Sequence, residues 1–141
     1  MNTGNTKKAV NAGYKTFKFY SDQWGAKVVF FAGDKDDFVS YMREKYHFNY
    51  QYGWDANCCG LSCKMLSAKD EHVTGYVIWM PKFDFTIDEY VSLAHECIHT
   101  AAKILDDRGV TYYDDAKEAL TYTFDAIYRF FLNKLKGTVK K

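Results

Sequence analysis

Thr86-Ile87-Asp88-Glu89-Tyr90-Val91-Ser92-Leu93-Ala94-His95-Glu96-Cys97-Ile98-His99-Thr100-Ala101-Ala102-Lys103-Ile104-Leu105 reads as one long helix with chemistry at its middle. Thr86 suits the N-cap, and Glu89 three residues on completes a capping box. Tyr90, Leu93, Ala94, Ile98, Ala101, Ala102 and Leu105 recur at helical spacing. Asp106-Asp107-Arg108-Gly109 reads as the stop, with Gly109 suited to left-handed backbone. Inside the helix lies His95-Glu96-Cys97-Ile98-His99, an HExxH pattern. Residues i and i+4 share one helix face, so His95 and His99 can ligate the same metal ion, with zinc the expected one. Glu96, at the edge of that face, is placed to take a proton from a water activated by the metal. The apolar neighbours are expected to bury the motif, which would hold the imidazoles rigid.

Two histidines leave a catalytic zinc short of the three protein ligands it usually takes. A second helix is expected from Asp114 or Asp115 to about Leu135, carrying Glu118-Ala119-Leu120-Thr121-Tyr122-Thr123-Phe124-Asp125. Glu118 follows His99 by 19 positions (118 − 99), and a turn with a returning helix can place it beside the histidines. Tyr122 and Asp125, at i+4 and i+7, share its face. Asp114 and Asp115 are alternative third ligands, unless they cap the helix. Asp125 reads either as a partner of Arg129 at i+4 or as a carboxylate that orients a zinc histidine. Tyr122 reads as core or as part of the site. Tyr112 and Tyr113, in the connecting turn, are candidates to donate a hydrogen bond to a developing oxyanion.

HECIH followed by a helix carrying Glu118-Ala119-Leu120-Thr121-Tyr122 resembles the gluzincin class of zinc metallopeptidases. The resemblance implies zinc held by His95, His99 and Glu118, with Glu96 as general base. More narrowly, the chain is similar to small uncharacterised HExxH proteins of phages and prophages. Those share a Gly-containing strand, a second apolar strand, the motif and a Glu-Ala-x-x-Tyr helix. The matching stretches are Cys59-Gly60-Leu61-Ser62, Tyr76-Val77-Ile78-Trp79-Met80, His95 to His99 and Glu118 to Tyr122, within residues 58–135. The longer metzincin pattern is absent, since no Gly or His follows His99 at the required spacing. The resemblance also implies that the strand Tyr76 to Met80 walls the cleft and pairs with an extended peptide, a role that requires a free sheet edge.

At 141 residues the chain suits a single domain, 1–141, with residues 1–13 and 136–141 expected to be flexible tails. Hydrophobic residues at 48% and aromatics at 18% argue for a packed core over disorder. A net charge of +1 gives no electrostatic footprint for nucleic acid. No apolar run approaches the ~20 residues of a membrane span. Met1 to Ala12 is polar and lacks the apolar core of a signal peptide, so the expected location is cytoplasmic, in a bacterial host if phage-encoded. Reduced thiols follow for Cys58, Cys59, Cys63 and Cys97. Cys97 should face the core as a small apolar group. Cys58, Cys59 and Cys63 form the one cysteine cluster with spacing suited to metal, yet no second pair completes a structural zinc site.

Tyr14 to Tyr20 alternates as a strand, Ser21 to Gly25 reads as a turn, and Lys27 to Phe31 as a second strand, together a hairpin. Asp34 can cap a helix from about Lys35 to Tyr46. Phe48 to Trp54 is strand or ordered loop; Leu61 to Leu66 and Gly75 to Met80 are two further strands, the last ended by Pro81. The order implies an α+β fold of minimal zincin-like form, a small mixed or antiparallel sheet packed against a zinc-binding helix pair. The functional expectation is a zinc-dependent hydrolase acting on a peptide or protein, with Glu96 activating water. The alternatives are a non-catalytic phage or bacterial interaction protein with a structural zinc, and hydrolysis of a non-peptide amide.

Overall fold

The computed structural model describes residues 13–48, 60–67, 72–110 and 114–139, with side chains in the last segment from residue 117. Phe48 lies at the end of the first segment; the rest of the Phe48 to Trp54 stretch, Cys58, Cys59, Tyr112, Tyr113, residues 1–12 and residues 140–141 fall outside the described residues, as do the side chains of Asp114 and Asp115.

The hairpin forms as β1 (Lys15–Ser21) and β2 (Ala26–Ala32), paired antiparallel across a turn in which Gly25 has φ +59°. Asp34 caps α1 (Lys35–Tyr46) by accepting from the Asp37 amide at 2.8 Å. β3 (Leu61–Leu66) and β4 (Val73–Met80) follow, then α2 (Ile87–Asp107) and α3 (Asp114–Gly137). Among the described residues the fold is α+β, with three helices and a four-stranded mixed sheet in the order β1-β2-β4-β3. β4 pairs parallel to β2 and antiparallel to β3.

The sheet is covered on both sides. Val28, Phe30, Tyr76, Ile78 and Met80 pack with Leu93, Cys97, Ile104, Ile127 and Phe131 of α2 and α3. Val29, Phe31, Val77 and Trp79 point the other way and pack with Phe38 and Met42 of α1. Burial on both faces explains why Val28 to Phe31 and Tyr76 to Met80 are unbroken apolar runs.

This order corrects one expectation. β4 is an inner strand, hydrogen-bonded to β2 on one side and β3 on the other, so it has no edge to offer a peptide. Among the described residues β3 ends the sheet instead.

α2 begins as its sequence indicates. Thr86 Oγ1 accepts from the Glu89 amide at 3.2 Å, and Glu89 Oε1 accepts from the Thr86 amide at 3.1 Å and the Asp84 amide at 2.6 Å. Phe85 and Tyr90 contact across the cap as a hydrophobic staple, with Phe83 against both rings. Burial favours the neutral Glu89 acid, yet these amide hydrogen bonds hold its carboxyl below the usual range. At the far end Gly109 takes φ +74°, which lets the Val110 amide reach back to Leu105 O.

Candidate metal and general-base site

α2 places its core stripe, Leu93, Cys97, Thr100, Ala101, Ile104 and Leu105, against the sheet and α3. His95 and His99 therefore stand on the outward side of the helix and are exposed. The expected burial of the whole motif does not occur. Of the three residues that carry the chemistry only Glu96 is shielded, at 8% exposure, packed beside Gly60. Ile98, expected to help bury the motif, is 47% exposed beside Val91 at 63% and Ile87 at 81%.

The two histidines converge. Their Nε2 atoms are 3.0 Å apart and their rings meet edge to face at 4.5 Å between centroids. Two imidazole nitrogens on one tetrahedral zinc, each at 2.0–2.1 Å, stand about 3.3 Å from each other. The pair thus fits a shared ion with a shift of a few tenths of an ångström.

A cleft of about 290 Å³ opens beside them, lined by Gly60, Val91, Ser92, His95 and Glu96. A methyl at Gly60 would stand 3.0 Å from Glu96 Oε2 and 3.1 Å from its Cγ, so the missing side chain is what admits the carboxylate. Burial pushes the Glu96 carboxyl above its ordinary value, against the opposing pull of His95, His99 and Lys103. The result is a carboxylate more basic than one in water, opening on the same cleft as His95.

Glu96 is also held from behind by a hydrogen-bond chain that sequence reasoning missed. Thr100 Oγ1 donates to Glu96 O at 2.8 Å. Its single proton is then committed, so the 2.7 Å contact between Ser62 Oγ and Thr100 Oγ1 has Ser62 as donor. Lys103 Nζ in turn donates to Ser62 Oγ at 3.1 Å and to Ser62 O at 2.6 Å. The available signal was spacing: Thr100 and Lys103 lie at i+4 and i+7 from Glu96, on its stripe. Ser62, a polar residue in an apolar strand, gave no sign of its partner.

The other expected residues sit elsewhere. Glu118, Tyr122 and Asp125 are exposed on α3, on the side away from its buried Thr123, Ile127 and Phe131. Among the described residues no third His, Cys, Asp or Glu joins His95 and His99 in a group able to hold a metal. Cys97 is fully buried as expected, and burial pushes its thiol well above the usual range. Burial also raises the Cys63 thiol to about 12, partly offset by Lys103, which disfavours the thiolate a metal needs. Among the described residues no helix is long and apolar enough to cross a membrane.

No protein-family model, curated protein or solved structure matches this chain.

Proposed function

We propose that the chain is a zinc-dependent hydrolase with peptide bonds as its substrate class. The observation that carries this reading is the 3.0 Å approach of His95 Nε2 and His99 Nε2 on the exposed face of α2, with Glu96 lining the same cleft. His95 and His99 would hold the metal. When bound, zinc supplies Lewis acidity, bringing the pKa of a water toward ~7 and polarising a carbonyl. Glu96 accepts the proton that the attacking water loses as the new C–O bond forms. It returns that proton to the amine as the C–N bond breaks. Its buried setting favours the first step, because burial makes the carboxylate a stronger proton acceptor.

Peptide substrates are favoured by the position of β3. Among the described residues it ends the sheet, next to Gly60 of the cleft, and a terminal strand can pair with an extended chain through backbone groups alone. The gluzincin resemblance implies Glu118 as third ligand; its side chain is exposed on α3 and forms no metal-holding group with the histidines among the described residues, so that role requires it to move to them. Zinc affinity of Glu118→Ala decides that assignment: a ligand there predicts a drop of 10-fold or more, on the order seen for lost metal-site groups, and an uninvolved surface acid predicts none.

Zinc-loaded wild type and Glu96→Gln, incubated with a mixture of unstructured peptides and read by mass spectrometry, test the reading. Wild type is expected to generate new termini. Glu96→Gln should retain its zinc and cleave about 100- to 10,000-fold more slowly. Equal cleavage by the two would overturn the mechanism. A wild-type chain that holds zinc and cleaves nothing would favour a structural metal in an interaction protein.

A further inference from the structure

The residues that β3 turns toward α2 follow the helix in step. Gly60 packs on Glu96, Ser62 meets Thr100 and Lys103, and Lys64 meets Asp107 at 2.6 Å. Two strand residues advance about 6.8 Å and four helix residues about 6 Å, so a strand and helix running in the same direction can stay in register over this length. Lys103 is the central tie. Its ammonium holds both the carbonyl and the hydroxyl of Ser62, two residues from Gly60. It also heads the one-way donor chain through Ser62 and Thr100 that ends on the carbonyl of Glu96 itself.

We infer that Lys103 is a positioning residue for the general base: it locks the terminal strand against α2 and thereby fixes the Glu96 carboxylate against Gly60. Burial lowers the Lys103 pKa and is a cost that an apolar residue would avoid. An apolar side chain would fill the seam and supply none of the donors. This inference rests on the role proposed for Glu96, while its structural content can be read without any substrate.

Three variants test it: Lys103→Met keeps length and loses the donors, Lys103→Arg keeps charge and donors, and Ser62→Ala breaks the chain without added bulk. Amide hydrogen exchange over residues 60–67 should quicken about 10-fold or more in Lys103→Met, as expected for the loss of charge-assisted hydrogen bonds, with β1 and β2 unchanged. The side-chain carboxyl carbon resonance of Glu96, assigned by Glu96→Gln, should shift in Lys103→Met and Ser62→Ala and return toward wild type in Lys103→Arg. With a cleaved peptide in hand, kcat should fall about 10-fold in Lys103→Met while KM stays within about 2-fold, the pattern of an interaction made chiefly in the transition state. Wild-type exchange and a wild-type Glu96 resonance in Lys103→Met would overturn the inference. If those two readouts change as expected and wild type cleaves no peptide, the positioning stands and the hydrolase reading alone fails.

Discussion

Gly60 has no side chain, and a methyl there would press on Glu96 at 3.0 Å from Oε2 and 3.1 Å from Cγ. Gly60→Ala should therefore leave the fold intact and displace the carboxylate by a few tenths of an ångström or more. A misplacement approaching 1 Å at a reacting group costs on the order of 100-fold, so we expect peptide cleavage to fall by about 10- to 100-fold with zinc affinity unchanged. Steady-state kinetics beside a zinc titration checks this. At this scale the sequence exposed half of the site. The i, i+4 spacing of His95 and His99 forces them onto one face, and their Nε2 atoms stand 3.0 Å apart. The surroundings of Glu96 were not legible. Gly60, Ser62 and Thr100 are common residue types whose meaning comes only from the strand and helix that carry them. Glu118, Tyr122 and Asp125 do share a face, as their spacing requires, but spacing cannot say which way that face turns.

The elements were legible where local chemistry decides them. The Thr86–Glu89 capping box, the Asp34 cap and the Gly109 stop all operate as their residues indicate. Thr86→Ala should lower stability by about 1 kcal/mol, measured by denaturant unfolding, since it removes the side-chain acceptor for the Glu89 amide. The pairing of elements was less legible. Nothing local to Tyr76 to Met80 reveals that β3 caps its outer side, although its unbroken apolar run does fit an inner strand. The far end of the β3–α2 seam yields a pH prediction. Burial would raise the Asp107 carboxyl, but hydrogen bonds from Lys64 and from Tyr76, the latter at 2.5 Å, hold it below its ordinary value. A carboxyl depressed in the folded state stabilises the fold above its unfolded pKa of ~3.9, and that contribution is lost as pH falls through the lower folded value. Asp107→Asn should flatten this acid limb. With the ion pair partly open to solvent, the loss at neutral pH is about 1 kcal/mol and shrinks in high salt.

Across the whole molecule, one set of contacts ties α2 to the opposite edge of the sheet. The β1–β2 turn is gripped by Arg108, whose Nε donates to Trp24 O at 2.6 Å and whose guanidinium reaches Gly25 O at 3.1 Å. Trp24 Nε1 donates to the buried Thr123 Oγ1 of α3 at 2.9 Å. One hairpin turn thus fixes α2 and α3 relative to each other. Trp24→Phe should cost about 1–3 kcal/mol, because it leaves a buried hydroxyl without its donor, and thermal unfolding measures it. The α+β class followed from element order, which left the sheet mixed or antiparallel, whereas the docking of this turn rests on contacts between residues 99 positions apart and leaves no trace in local pattern. The central claim concerns where a metal goes. X-ray absorption at the zinc edge of the zinc-loaded chain should show nitrogen and oxygen neighbours at about 2.0–2.1 Å with the outer scattering of two imidazoles. Sulfur neighbours at about 2.3 Å, which would put zinc on the Cys58, Cys59 and Cys63 cluster, or a chain that retains no zinc, would contradict it.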